Sequence, residues 1–151
     1  MKKIICCLLV AVMLSACGGE TKNGDEKRVG DVIMVNGELG VVFDVTANGR
    51  HGKVMSVSET KCNWNDAKDW CVSFGPAWRL PTKDELKEIY RNKDAINSVL
   101  SANDYTTLMD TLYWSSGIIS ESFVWYVSMR DGYTYNGCKS FNGYVRAVSA
   151  F

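Results

Sequence analysis

Apolar positions divide the chain into a short leading run, a polar gap and a long patterned body. Residues 4–13 form an unbroken apolar run and residues 18–28 (GGETKNGDEKR) are polar. From residue 29 the body starts with period-two segments. Residues 31–35 and 40–45 read as strands joined at Asn36-Gly37, a strong hairpin signal. After a glycine-bracketed turn at 48–52, residues 53–57 complete a second hairpin. The period then changes. Ala67, Trp70, Cys71 and Phe74 fall at i, i+3, i+4 and i+7, so a helix is predicted, capped by Asn63 or Asn65 and stopped by Gly75-Pro76. Leu86, Ile89 and Tyr90 stripe a second helix; Ala95, Ile96, Val99 and Leu100 stripe a short third one from Asp94. Residues 113–116 return to an extended pattern. Phe123, Trp125, Val127 and Met129 then alternate with Val124, Tyr126 and Ser128 up to an Asp131-Gly132 turn. Residues 143–151 read as one last strand, tucked into a sheet.

The most punctuated stretch lies between the first two helices. Thr82 and Glu85 form a capping box, and Pro81 holds Leu80 extended. Trp78 and Leu80 flank Arg79 as bulky anchors. Trp78, Arg79 and Thr82 are therefore expected to be structural, as are Trp114 and Arg146. A guanidinium between apolar neighbours can satisfy loop carbonyls or a carboxylate through several donors.

The leading run is too short to span a bilayer. Preceded by Lys2 and Lys3 and followed by Leu14-Ser15-Ala16-Cys17, it reads as a lipoprotein signal over residues 1–16. Cys17 would carry the lipid, residues 17–28 would be a flexible tether, and residues 29–151 the domain. Gly18-Gly19 lacks the aspartate associated with inner-membrane retention, so the expected location is the outer membrane, periplasmic or surface-facing. Removing residues 1–16 takes Lys2 and Lys3 from 17 basic residues, leaving 15 against 17 acidic ones, a net charge of −2. That offers no basic face for nucleic acid. Cys62, Cys71 and Cys138 remain, enough for at most one intrachain bridge.

Catalytic chemistry is not evident. The chain has one histidine, His51, in a turn, so no Ser/His/Asp set and no Cys/His metal site can be assembled. Trp64-Asn65-Asp66 has the letters of a calcium motif but too few oxygens, and helix capping accounts for it better. No metal or cofactor is expected. Aromatic residues crowd the C-terminal third, and a sheet can bury only one face. Tyr126, Arg130, Tyr133 and Asn136 are expected to border a shallow surface suited to weak sugar or protein contacts.

In order, W-R-L-P-T (78–82) with Glu85-Leu86, Y-W-S-S (113–116), Trp125, Asp131-Gly132 and Y-V-R-A-V (144–148) resemble the Lcl C-terminal domain of collagen-like adhesins and related domains found on bacterial lipoproteins. The resemblance implies an α+β, C-type-lectin-like fold, shared with the formylglycine-generating enzyme: a mixed sheet with two main helices, long loops and paired termini. Adhesins of this kind bind sulfated polysaccharides, but this chain lacks their collagen-like repeats. In such folds the first helix packs on the C-terminal strands, which implies Cys71 with Cys138, if any bridge forms, and leaves Cys62 free. Formylglycine-type chemistry needs reactive cysteines in the C-terminal part, where Cys138 stands alone. The expected function is thus a non-enzymatic binding module for glycan or protein at the cell envelope, ahead of a structural lipoprotein without a small ligand or a degenerate enzyme.

Overall fold

The computed structural model describes residues 26–151. The leading apolar run, Cys17 and most of the tether lie outside the described residues. Nine strands and three helices follow: β1 (Val32–Val35), β2 (Glu38–Val45), β3 (Gly52–Ser56), β4 (Thr60–Cys62), α1 (Trp64–Ser73), α2 (Lys83–Arg91), α3 (Lys93–Ala102), β5 (Leu112–Ile118), β6 (Phe123–Ser128), β7 (Thr134–Cys138), β8 (Gly143–Val145) and β9 (Val148–Ala150). They form two sheets, one in the order β1-β2-β3-β9 and one in the order β4-β8-β5-β6-β7. The fold is α+β. The second sheet is mixed, since β5 and β8 run parallel while its other pairs are antiparallel. Instead of one looped sheet with two main helices there are two sheets, and α3 is as long as α1 at 10 residues.

Local chemistry explains the element ends. Asn36 and Gly37 both take positive φ, 52° and 89°, the geometry of the two-residue turn that joins β1 to β2. Asn63 caps α1 by accepting the Asp66 N–H at 3.0 Å. Thr82 accepts the Glu85 N–H at 3.2 Å, and the Glu85 carboxylate accepts the Thr82 N–H at 2.8 Å, closing the capping box of α2. The continuous apolar run in β2 is buried on both faces, as such runs usually are. Val42 and Val54 pack with Ala67 and Cys71 of α1, while Val41, Phe43 and Met55 pack with Leu86, Ile89, Ile96 and Leu100 of α2 and α3. Both core clusters lie within residues 35–148, so residues 26–151 carry the whole described core.

The expected strand over 143–151 is broken in two. β8 belongs to the second sheet and β9 to the first, and Arg146 and Ala147 cross between them. Ala147 accepts the Ser56 N–H and donates its own N–H to Ser56 Oγ, at 2.8 and 3.0 Å. β9 pairs with β3 on one side, and on the other Arg79 and Val148 exchange backbone hydrogen bonds at 3.0 and 2.9 Å. The stretch between α1 and α2 is thereby tied to the crossing strand.

Candidate functional site

Sheet register builds a row of rings on one face of the second sheet. Trp114 stands opposite Tyr126, and Tyr126 opposite Tyr135, so all three side chains project to the same side of β5, β6 and β7. The Trp114 and Tyr126 rings meet edge to face with centroids 5.6 Å apart; Tyr126 and Tyr135 stack at 6.0 Å and 26°. Exposure rises along the row: Trp114 is buried, Tyr126 half-buried and Tyr135 42% exposed. Glycines let the rings lie close to backbone. A Cβ at Gly137 would sit 2.5 Å from the Tyr126 ring, and one at Gly143 2.7 Å from Trp114.

Two hollows meet over this row and share Leu112 and Tyr126. The larger, of about 400 Å³, adds Asp110, Arg130, Asp131 and Tyr135. The smaller, of about 110 Å³, is closed by Trp114, Phe141, Asn142 and Gly143. Asp131 accepts the Tyr133 N–H at 3.0 Å and the Tyr135 hydroxyl at 3.2 Å. The backbone bond from Tyr133, with smaller help from Ser128, Tyr135 and Arg130, holds its carboxyl below the usual range. Partial desolvation and the Asp131 carboxylate raise the Tyr135 phenol. The groove therefore presents an ionised acceptor, a guanidinium and aromatic faces together.

Of the four residues expected to border a ligand surface, the structure brings two into this groove, Tyr126 and Arg130. Tyr133 is 69% exposed beside the turn and does not line either hollow. Asn136 pairs with Trp125, one position out of phase with Tyr126, so it faces the opposite side of the sheet. Tyr135 takes the place expected of it. The β6–β7 register decides this, because it sets Tyr135 opposite Tyr126 and Asn136 opposite Trp125.

The residues expected to be structural hold the frame. Trp78 is 1% exposed. Arg79 keeps a half-exposed side chain, and its guanidinium grips Glu85 with two bonds of 2.8 and 2.7 Å. Trp114 Nε1 donates to the Cys62 carbonyl at 3.0 Å. Arg146 is fully buried: Nε donates to Glu59 at 2.9 Å, and the remaining nitrogens reach the carbonyls of Ser56, Val57 and Thr106. Tyr113 donates its hydroxyl to the same Glu59 carboxylate at 2.5 Å, and burial followed by that bond pushes its phenol up.

The expected Cys71–Cys138 bridge does not form. Cys62, Cys71 and Cys138 are free thiols. Cys71 is on the inner stripe of α1, and the partly buried Cys62 packs against the same cluster. Cys138 instead sits on the edge strand β7 with its sulfur 3.1 Å from Ser140 Oγ. The helix turns its stripe toward the sheet interior, whereas the edge strand holds Cys138 away from it.

A further hollow of about 460 Å³ opens beside the start of α2. Of its four carboxylates, Asp44, Glu85 and Glu88 face Lys53, Arg79 and Arg91, while Asp84 makes no ion pair among the described residues. Among the described residues no three His, Cys, Asp or Glu side chains are placed to hold a metal ion, and no helix is long and apolar enough to cross a membrane. His51 lies exposed in its turn.

Fold and groove together define an α+β domain in which a two-sheet frame presents an open aromatic surface on the face of one sheet. The chain belongs to the Lcl C-terminal domain family, a family of bacterial domains, whose model matches residues 39–149. The match runs from β2 into β9 and includes every residue of the groove. No curated protein matches the chain.

Proposed function

We propose that this domain is a non-enzymatic carbohydrate-binding module of the cell envelope, held at the outer membrane by lipid on Cys17. The observation that carries the reading is the Tyr126–Tyr135 stack, open to solvent beside Arg130 and Asp131. A sugar ring has apolar C–H faces and hydroxyl edges. Two stacked phenols suit the first, and a carboxylate held ionised beside a guanidinium suits the second. An ionised Asp131 is a hydrogen-bond acceptor and not a proton donor, which favours binding over acid catalysis. The open, shallow form fits contacts of about 1 kcal/mol each, spread over several sugar units. Leu14-Ser15-Ala16-Cys17 behind the apolar run supports the anchor.

A glycan array probed with residues 26–151 tests the reading, followed by calorimetric titration of the best hit. Tyr135→Ala and Arg130→Ala each remove an exposed side chain and should weaken binding roughly fivefold to tenfold without unfolding the domain. A glycan bound equally well by both variants would remove the groove as its site. An array without hits would favour a structural envelope lipoprotein.

A further inference from the structure

The smaller hollow over the aromatic row has a chemistry of its own. It is lined by Leu112, Trp114, Tyr126, Phe141, Asn142 and Gly143, with no charged side chain among them. Resting on the carbohydrate reading of the groove, we infer that this hollow is a subsite for an acetamido group, so that the ligand is a glycan containing N-acetylated hexosamine.

Sheet register and a fixed turn build the hollow. Leu112 stands opposite Ser128 and Trp114 opposite Tyr126, so Leu112, Trp114 and Tyr126 project to one side. Phe141 and Asn142 come from the turn between β7 and β8. Three backbone bonds hold that turn: the Lys139 N–H donates to the Ser122 carbonyl at 2.9 Å, the Trp64 N–H to the Lys139 carbonyl at 3.0 Å, and the Phe141 N–H to the Cys138 carbonyl at 3.1 Å. Phe141 belongs to neither core cluster and stands 67% exposed, as the outer wall of the hollow. The space is therefore formed before any ligand arrives.

Size and polarity choose the occupant. A hollow of about 110 Å³ takes a substituent of a few heavy atoms but not a second sugar ring. A carboxylate, a sulfate or a protonated amine would lose water there without meeting a counter-charge. A hydroxyl would meet mostly apolar surface, because Trp114 Nε1 is already committed to the Cys62 carbonyl at 3.0 Å. An acetamido group suits both parts of the lining. Its methyl matches Leu112, Trp114 and Phe141. Asn142, exposed at the rim, carries an amide NH2 and an amide C=O that complement the acetamido carbonyl and N–H. The two hollows share Leu112 and Tyr126, so a pyranose lying on the Tyr126–Tyr135 stack brings its ring substituents to the edge of this subsite.

The test is calorimetric titration of residues 26–151 with chitotetraose and with cellotetraose, β-1,4-linked chains of equal length that differ only in acetamido or hydroxyl at the second ring carbon. Chitotetraose is expected to bind roughly tenfold tighter or more. Phe141→Ala opens the hollow and Asn142→Leu removes its amide; each should shrink that preference several-fold. Tyr135→Ala, in the shared groove, should instead weaken both chains alike. Circular dichroism confirms that each variant is folded. Equal affinity for the two chains would overturn the inference and leave the carbohydrate reading standing. Binding of neither chain would also overturn it, and the glycan array then judges the carbohydrate reading separately. A preference for chitotetraose that survives both Phe141→Ala and Asn142→Leu would overturn the assignment of this hollow.

Discussion

Replacing Arg146 with methionine should strongly destabilise the domain, although Arg146 touches no part of the groove. The arginine side chain is 0% exposed and its partner Glu59 is 7% exposed. Methionine refills much of the aliphatic volume but strands the Glu59 carboxylate with only the Tyr113 hydroxyl, and leaves the carbonyls of Ser56, Val57 and Thr106 without their guanidinium donor. Breaking one side of a buried ion pair costs about 3–5 kcal/mol. Stability of a domain this size is roughly 5–15 kcal/mol, so the loss is a substantial share of the total. With a urea dependence of about 2 kcal/mol per molar, the midpoint should fall by about 2 M. Urea titration of residues 26–151 by far-ultraviolet circular dichroism measures it. Adding Glu59→Leu should restore part of the loss, because the second change removes the stranded charge. A midpoint within about 0.5 M of wild type for Arg146→Met would refute the reasoning, since a loss of about 1 kcal/mol is typical of an exposed pair.

Trp78→Ala should cost about 3–5 kcal/mol in the same titration, as for other large buried aromatics, while Trp78→Phe should cost markedly less because Trp78 Nε1 has no hydrogen-bond partner among the described residues. Burial raises the Glu85 carboxyl, but the Arg79 hydrogen bond, the Thr82 N–H and the charges of Arg79 and Lys53 more than offset it and hold the group at about 2. A folded value below the unfolded value of about 4.3 means the stabilisation is present above that pH and is lost as pH falls toward about 2; melting temperatures of Glu85→Gln should therefore fall less steeply than those of wild type across that window. Cys138, whose thiol is lowered by its Ser140 contacts, should alkylate first with iodoacetamide, and Cys71, pushed up to about 12 by burial and then by Cys62, should react last, as mass spectrometry of timed samples would show. Cys17→Ala in the full chain should abolish fatty-acid labelling and release the protein from the membrane fraction; unchanged labelling would end the lipoprotein reading.

Elements governed by local chemistry were legible in the sequence. The Asn36-Gly37 turn, the capping box at Thr82 and the stripe of α1 depend on neighbours within a few residues, and each forms near its expected place. β4 was not legible, because three residues, Thr60–Cys62, show no period of their own and are extended only through pairing with β8. The break at Arg146 was hidden for a similar reason. Residues 144–151 carry no turn or breaker residue, and only the presence of two separate sheets makes the chain leave one for the other. In the groove, Tyr126 and Arg130 could be picked from alternation and turn chemistry. Asn136 was expected there and Tyr135 was not, because the register that sets Tyr135 opposite Tyr126 is fixed by the turn between β6 and β7 and not by alternation within either strand. Cys71 and Cys138 depended on tertiary packing, which the spacing of cysteines does not encode.

The crossing at Arg146 and Ala147 also bears on the order of events in folding. Arg146 closes against Ser56 across 90 residues, and β9 completes a sheet whose other strands lie within residues 32–56. Contacts of such separation make closure slow, since the entropy of a long loop is lost before the contacts that compensate for it exist. Neither sheet is complete until residues 143–150 arrive, so the two-sheet frame closes last even where hairpins and helix caps form early. A chain passing through a narrow channel from its N-terminus would lack its closing strand until the last residues emerge, and the frame would close only after release.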